Sequence, residues 1–301
     1  MGRKALALAV LCAGITLAVS SGIADTGYGV PQRTDDNVVV ASYNIKWLGQ
    51  TTHDLDKLAQ VIENFDVCGI VEVKQEATVA QLAEALKRRT NADWGYVYGI
   101  RTHRPGAMYY EAYAVVWRRD RVELGDGVVS NIWDLEEAFR NDPYLVSFKR
   151  KGFDFALLLV HTRWSDDPEG TRANEVAMVG EQLDWLSSFL TERDFIVAGD
   201  FNYSGDAAPM KDLAEASGLT QVDPNVPSTF KGDGSGYSSS YDHIYISRAH
   251  TTEFTGQAGV LDATALVYGQ KTPKNMNASM GELSDHLPVW AVFSVTAPDD
   301  D

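Results

Sequence analysis

Cysteine is nearly missing from this chain: its 301 residues hold two, Cys12 and Cys68. Cys12 falls in an N-terminal leader, so the mature chain keeps one thiol and an internal disulfide is excluded despite an oxidising destination. Stability has to come from a core, with a bound metal as the available aid. Basic charge is also short. Lys and Arg total 26 against 42 Asp and Glu, giving a net charge of −16 and a pI near 4.7. That balance excludes broad, passive adhesion to nucleic acid or to an anionic membrane. An acidic enzyme can still handle a polyanion through a bound cation and a local basic rim, and its binding is then salt-sensitive. Internal repeats, low-complexity tracts and linkers are absent too, so one domain is expected.

An apolar run of membrane-like character occurs only at the N-terminus, from Ala5 to Val19, and it is too short to span a bilayer comfortably. With Arg3 and Lys4 before it and Gly22-Ile23-Ala24 after it, residues 1–24 read as an export signal, which places the mature protein in a secreted or periplasmic location. Bulky Leu11 before Cys12 argues against a lipoprotein site. Loss of Arg3 and Lys4 with the signal takes the net charge from −16 to −18. A polar leader then covers 25–37, the single domain 38–296 and an acidic, disordered tail 297–301.

What the sequence does hold is a series of apolar runs that stop on polar side chains. Phe195-Ile196-Val197-Ala198-Gly199 runs into Asp200-Phe201-Asn202, and strand alternation puts Asp200 and Asn202 on one side. Alone, that pair is equally an Asp/Asn turn after a core strand. Val38 to Ile45 carries Asn44, and Val67 to Val73 carries Glu72, a carboxylate costly to bury unless a cation faces it. Glu111 opens a strand over Tyr113 to Trp117, and Phe153 to Val160 runs into His161. In Tyr241 to Ile246, Asp242 and His243 take opposite faces, and Asp285-His286 precede the last apolar strand. Apolar residues at helical spacing predict helices over roughly 54–65, around Val79 to Leu86, over 171–191 and near Met210 to Ser217. Lys87-Arg88-Arg89 reads as a helix end rather than a nucleic-acid patch. The Gly/Ser-rich stretch 232–240 is expected to be mobile, and it and the loop 101–106 are expected to touch substrate.

Strands joined by short turns suggest mostly antiparallel sheets, and amphipathic helices need an apolar face to cover. The expected fold is α/β, a four-layered sandwich of two mostly antiparallel sheets flanked by helices. If Asn44, Glu72, Glu111, His161, Asp200, Asn202, Asp242, Asp285 and His286 gather at one edge, they supply oxygens for a hard cation and two histidines with acidic partners. Such a set suits hydrolysis of a phosphate ester, with one group activating water and another protonating the leaving oxygen.

Val71-Glu72-Val73-Lys74, Tyr110-Glu111, Val160-His161, Gly199-Asp200-Phe201-Asn202, Tyr241-Asp242-His243-Ile244 and Ser284-Asp285-His286-Leu287-Pro288-Val289, in this order, resemble the endonuclease/exonuclease/phosphatase superfamily, and within it the deoxyribonuclease I-like secreted nucleases. The resemblance implies that Glu72, Asn44 and Asp285 hold a divalent metal, Mg²⁺ first and Mn²⁺ or Ca²⁺ next. It pairs His161 with Glu111 and His286 with Asp242 as acid/base units, and has Asp200 and Asn202 orient water or a second metal and bind the scissile phosphate. Lys74 stands where arginine is usual, and Asn141 where a basic residue is expected, with Arg140 one place away, so phosphate gripping by Lys74 and Arg140 departs from the pattern. The implied function is a secreted, metal-dependent phosphodiesterase acting on nucleic acid, DNA first and RNA next, as a monomer without stable membrane association. A phospholipid head-group hydrolase of sphingomyelinase or inositol-phosphate type is the alternative, and a non-catalytic binding module is a third.

Overall fold

Unbroken apolar strands must be covered on both faces, and this chain covers them by stacking two sheets and laying helices on the outer sides. The computed structural model describes residues 27–100, 111–132, 138–166 and 171–297. The export signal and the loop 101–106 therefore lie outside the described residues, as does the tail from 298 onward.

The first half of the chain forms β1 (Asn37–Leu48), α1 (Leu55–Ile62), β2 (Val67–Val73), α2 (Glu76–Thr90), β3 (Trp94–Tyr98), β4 (Ala112–Arg118), β5 (Glu123–Asn131) and β6 (Tyr144–Arg150). The second half forms β7 (Phe153–His161), α3 (Arg172–Ser187), β8 (Phe195–Asp200), α4 (Ala208–Ser217), β9 (Leu219–Gln221), β10 (Asp242–Ser247), β11 (Phe254–Val260), α5 (Ala263–Tyr268), α6 (Pro273–Glu282) and β12 (Val289–Ser294). The first sheet runs β11-β12-β1-β2-β4-β3 and the second β5-β6-β7-β8-β10-β9. Each has one parallel pair at its centre, β1 with β2 and β7 with β8, and antiparallel neighbours on both sides. The expected layered sandwich is what forms.

This topology positions the site. The parallel pairs end at the same edge, bringing Asn44, Glu72, His161 and Asp200 to their carboxyl ends. Antiparallel β4, β10 and β12 start at that edge, so Glu111, Asp242 and His286 lie at or just before their amino ends. One core fills the space between the sheets and under α1 and α2; a second lies beneath α3 and α4 on the outer face of the second sheet. The sheets pack closely where β2 crosses β7: a Cβ on Gly69 would stand 2.3 Å from Leu159 Cδ2, so any larger residue there makes the leucine shift.

Helix ends follow local chemistry. Asp54 and Thr171 cap α1 and α3, each side chain accepting an N–H of the first turn. Asn91, with φ 52, closes α2 just after its three basic residues, and Arg88 and Arg89 pair with Asp56 and Glu63. The predicted helix over 171–191 stops at Ser187 because Phe189 and Leu190 turn back onto Leu186 O. The Gly/Ser stretch is not slack: Phe230 bridges Tyr237, Ser238 N donates to Thr229 O, and Tyr237 Oη donates to Asp262 Oδ1 at 2.6 Å.

Candidate active site

The polar strand ends do meet, and they meet as two acid–histidine pairs with an aspartate between them. His161 Nδ1 lies 2.8 Å from Glu111 Oε2, and His286 Nδ1 2.8 Å from Asp242 Oδ2. Each acid accepts a hydrogen bond from Nδ1–H and turns Nε2 toward the cavity. There the two Nε2 atoms approach the same oxygen, Asp200 Oδ2, at 3.8 and 3.7 Å. Asn44 Nδ2 donates to that oxygen at 3.0 Å and to Glu72 Oε1 at 2.9 Å, bracing two buried carboxylates from behind. Asn202 is fixed at both ends, its N–H on Asp200 Oδ1 and its Nδ2 on Thr162 O.

Backbone geometry aims these groups. Pairing of β2 slips on either side of Glu72, which sits at φ 60, and Asn202 sits at φ 51; both are left-handed conformations costing about 1–2 kcal/mol for a non-glycine residue. Such irregularities turn a side chain out of strand alternation. Gly199, at φ 151, lets β8 lie against β7 beside the site: an added Cβ would stand 1.8 Å from Val160 O.

Burial alone would lower the His161 imidazole, but Glu111, Asp200 and Glu72 outweigh it and push it up to about 10. His286 is raised likewise to about 10 by Asp242, Asp200 and Asp285 against burial. Burial acts to raise Glu111, yet His161 and Lys74 hold it down to about 2. Glu72 is pushed up by burial and by Glu111, beyond what His161 and Asn44 offset. Burial also raises Asp242, with Asp200 adding to it against His286.

Excess buried negative charge is what a cation would offset. Glu72, His161 and Asp200 offer ligand atoms within 4.8 Å of one another, as do Asp200, Asp242 and His286. Asn44 Oδ1 is buried and has no hydrogen-bond partner. The residues present therefore fit a hard divalent cation at Glu72, Asn44 and Asp200.

Two expected residues stand differently from their predicted roles. Asp285 lines the cavity but its carboxylate pairs with Lys46, and it belongs to neither ligand cluster. Lys74 does not line the cavity: its ammonium is 9% exposed and lies 3.2 Å from Glu111 Oε1, so it charges the acid rather than gripping phosphate. Arg140 and Asn141, neighbours in the chain, both line the cavity. Sequence reasoning missed Lys46, Trp47 and Trp164 on the rim, and it missed Glu175. Glu175 is fully buried on α3 and accepts Arg140 N and Arg163 N, tying two lips of the site together. A charged residue one turn from Val179, on the buried stripe of α3, was the available signal. His243 faces away, held by Asp223 and Tyr203 O.

Paired acid–histidine units around a cation-ready carboxylate define a phosphoester hydrolase. The model of the endonuclease/exonuclease/phosphatase family matches residues 41–286, and the chain belongs to that family. A search of the curated proteins finds no significant match. Among solved structures, an endonuclease/exonuclease/phosphatase family protein from Bacteroides thetaiotaomicron superposes with a TM-score of 0.56 at 19% identity, covering 88% of this chain and 98% of that one. A mannosyl-6-phosphatase from Bacteroides thetaiotaomicron gives 0.54 at 20% identity, covering 84% and 98%. The 3′ phosphatase NExo from Neisseria, bound to a product DNA hairpin, gives 0.56 at 16% identity, covering 85% and 99%. These likenesses show the fold.

Proposed function

We propose that this hydrolase is a secreted, metal-dependent phosphodiesterase that cuts the backbone of nucleic acid, DNA first, endonucleolytically. The observation that carries the reading is the convergence of two acid–histidine pairs on Asp200 Oδ2. A phosphodiester leaves as an alkoxide that needs a proton, while the attacking water must lose one. Two opposed imidazoles, each oriented through Nδ1 by its own acid, would supply both transfers once a cation among the surrounding carboxylates lowers one of them enough to give up its Nε2 proton. A divalent cation, Mg²⁺ by preference with Mn²⁺ or Ca²⁺ next, would be held by Glu72, Asn44 and Asp200 and would offset charge on the phosphoryl oxygens. Asn202 Nδ2 donates one N–H to Thr162 O and keeps its second N–H for a phosphoryl oxygen. Asp285 reaches a cation only by releasing Lys46.

Arg140 and Lys46 line the cavity of a chain otherwise at −16, the local basic rim a polyanion requires. Among the described residues no helix is long and apolar enough to cross a membrane. The export signal read at 1–24 supports a secreted or periplasmic enzyme. A panel of plasmid, single-stranded DNA, RNA, sphingomyelin and a sugar phosphate, each with Mg²⁺ and with EDTA, tests the reading. Nicking of plasmid that EDTA stops and that His161→Ala abolishes is expected. Cleavage confined to sphingomyelin or to the sugar monoester would overturn it.

A further inference from the structure

We infer that Trp164 is a stacking platform for the nucleobase next to the scissile phosphate, an inference that rests on the nucleic-acid reading above. Trp164 lines the cavity at the exit of β7, three residues after His161, and its side chain is 69% exposed. Leaving so large a ring in water forgoes most of the stabilisation that its burial would bring. The backbone immediately before it is firmly held. Arg163, the residue before it, is 2% exposed, and its N–H and Nε both bond the fully buried Glu175 carboxylate, at 2.5 and 3.0 Å. The same carboxylate holds Arg140 N, so one buried acid fixes the platform and the facing lip together.

Two further features suit a base. Asn141, 4% exposed, lines the cavity with a buried Oδ1 that has no hydrogen-bond partner, an acceptor suited to a ring or exocyclic N–H. Across the opening, Trp47 follows Asn44 by three residues on β1 of the other sheet, at φ 49, with Lys46 Nζ 5.9 Å from its ring centre. Each sheet thus sets a tryptophan three residues beyond a site residue. The cavity, about 350 Å³, has room for a phosphate and one adjoining nucleoside. Stacking of a base on an aromatic ring is worth about 1–3 kcal/mol, which converts to a 5- to 150-fold change in affinity.

The test compares a single-stranded oligonucleotide with the same strand carrying a tetrahydrofuran residue, which has no base, beside the cut phosphate. Trp164→Ala is expected to raise KM on the full strand by roughly 5- to 150-fold with kcat within about twofold, and to leave the base-free strand unchanged. Trp164→Phe should recover most of the loss. Equal effects on both strands, or none on either, would overturn the platform. If the wild-type enzyme cuts neither strand in Mg²⁺ or Mn²⁺, the nuclease reading is what fails. Fluorescence quenching that Trp164→Phe removes then decides this inference separately. Quenching by the full strand but not by the base-free one supports it, and no quenching overturns it.

Discussion

Glu111→Gln changes one atom and should disable His161 for a reason visible in the hydrogen bonds. Glu111 serves two donors at once: Oε2 accepts from His161 Nδ1 at 2.8 Å and Oε1 from Lys74 Nζ at 3.2 Å. A glutamine has one oxygen for that task. Lys74 offers only donors, whereas a neutral imidazole can move its proton, so the amide oxygen should turn to Lys74 and its NH₂ to Nδ1. Nδ1 then becomes the acceptor and Nε2, the atom facing Asp200, carries the proton and is no longer a base. Loss of correctly oriented acid–base catalysis amounts to 10²–10⁴-fold, about 3–5 kcal/mol in the barrier. Replacing the carboxylate that faces the buried Lys74 ammonium with a neutral amide should also lower stability by about 3–5 kcal/mol. Adding Lys74→Met removes the competition: the oxygen can return to Nδ1–H. The double variant should therefore melt higher than Glu111→Gln and regain at least tenfold in single-turnover rate, with ¹⁵N imidazole shifts reporting the tautomer. A double variant slower than the single one, or a single variant within threefold of wild type, would sink the reasoning.

Other perturbations follow from the same geometry. Asn44→Ala removes the two bonds that brace Glu72 and Asp200, so Mn²⁺ affinity should fall about 10- to 100-fold by titration calorimetry; unchanged affinity would place the cation elsewhere. Gly199→Ala drives a Cβ into the Val160 carbonyl and should abolish soluble expression or lower the melting temperature by about 10 °C or more. The pH dependence has a defined sign. His161 and His286, raised to about 10, stabilise the fold below their unfolded value near 6.5, and that contribution fades as pH climbs toward 10. Raised Glu72 and Asp242 act in the same direction from lower pH, whereas Glu111, held down to about 2, matters only below its unfolded value near 4.5. In EDTA the melting temperature should decline from about pH 6 to pH 9, and added Mg²⁺ should restore most at the alkaline end. A flat profile in EDTA would contradict it.

The strand ends were legible because a polar residue that interrupts an apolar run is conspicuous: burying Glu72 or Asp200 without a partner is too costly to be incidental. Two sheets with flanking helices could be read from the same runs. What alternation cannot give is the partner of a charge. Lys74 was expected at the phosphate and Lys46 drew no role, yet one lies 3.2 Å from Glu111 and the other pairs with Asp285. Opposite facing of Arg140 and Asn141 holds for a strand, but they lie in a loop, where alternation carries no information. Strand β5 was missed because its residues are mostly exposed and include two glycines, and α5 and α6 because six and ten residues give too few apolar repeats to declare a helix.

Each catalytic pair crosses from one sheet to the other, in opposite senses. Glu111 precedes β4 of the first sheet and holds His161 on β7 of the second; Asp242 opens β10 of the second and holds His286 ahead of β12 of the first. The 2.8 Å bonds thus depend on how closely the sheets pack, and one close point is Gly69 against Leu159, on the strands that carry Glu72 and His161. Gly69→Ala puts a Cβ 2.3 Å from a leucine methyl, which can turn aside more easily than a carbonyl can. Its stability loss should stay at about 1–3 kcal/mol, less than that of Gly199→Ala. Activity should suffer more than stability, because a shift of about 1 Å between β2 and β7 misplaces Glu72 and His161 together, a displacement that can lower rates about 10²-fold. Folded Gly69→Ala protein assayed well below its melting temperature should show this drop in kcat. Full activity in a variant destabilised by 1–3 kcal/mol would show that the pairs tolerate changes in sheet spacing, and that the site's geometry is held by the loops instead.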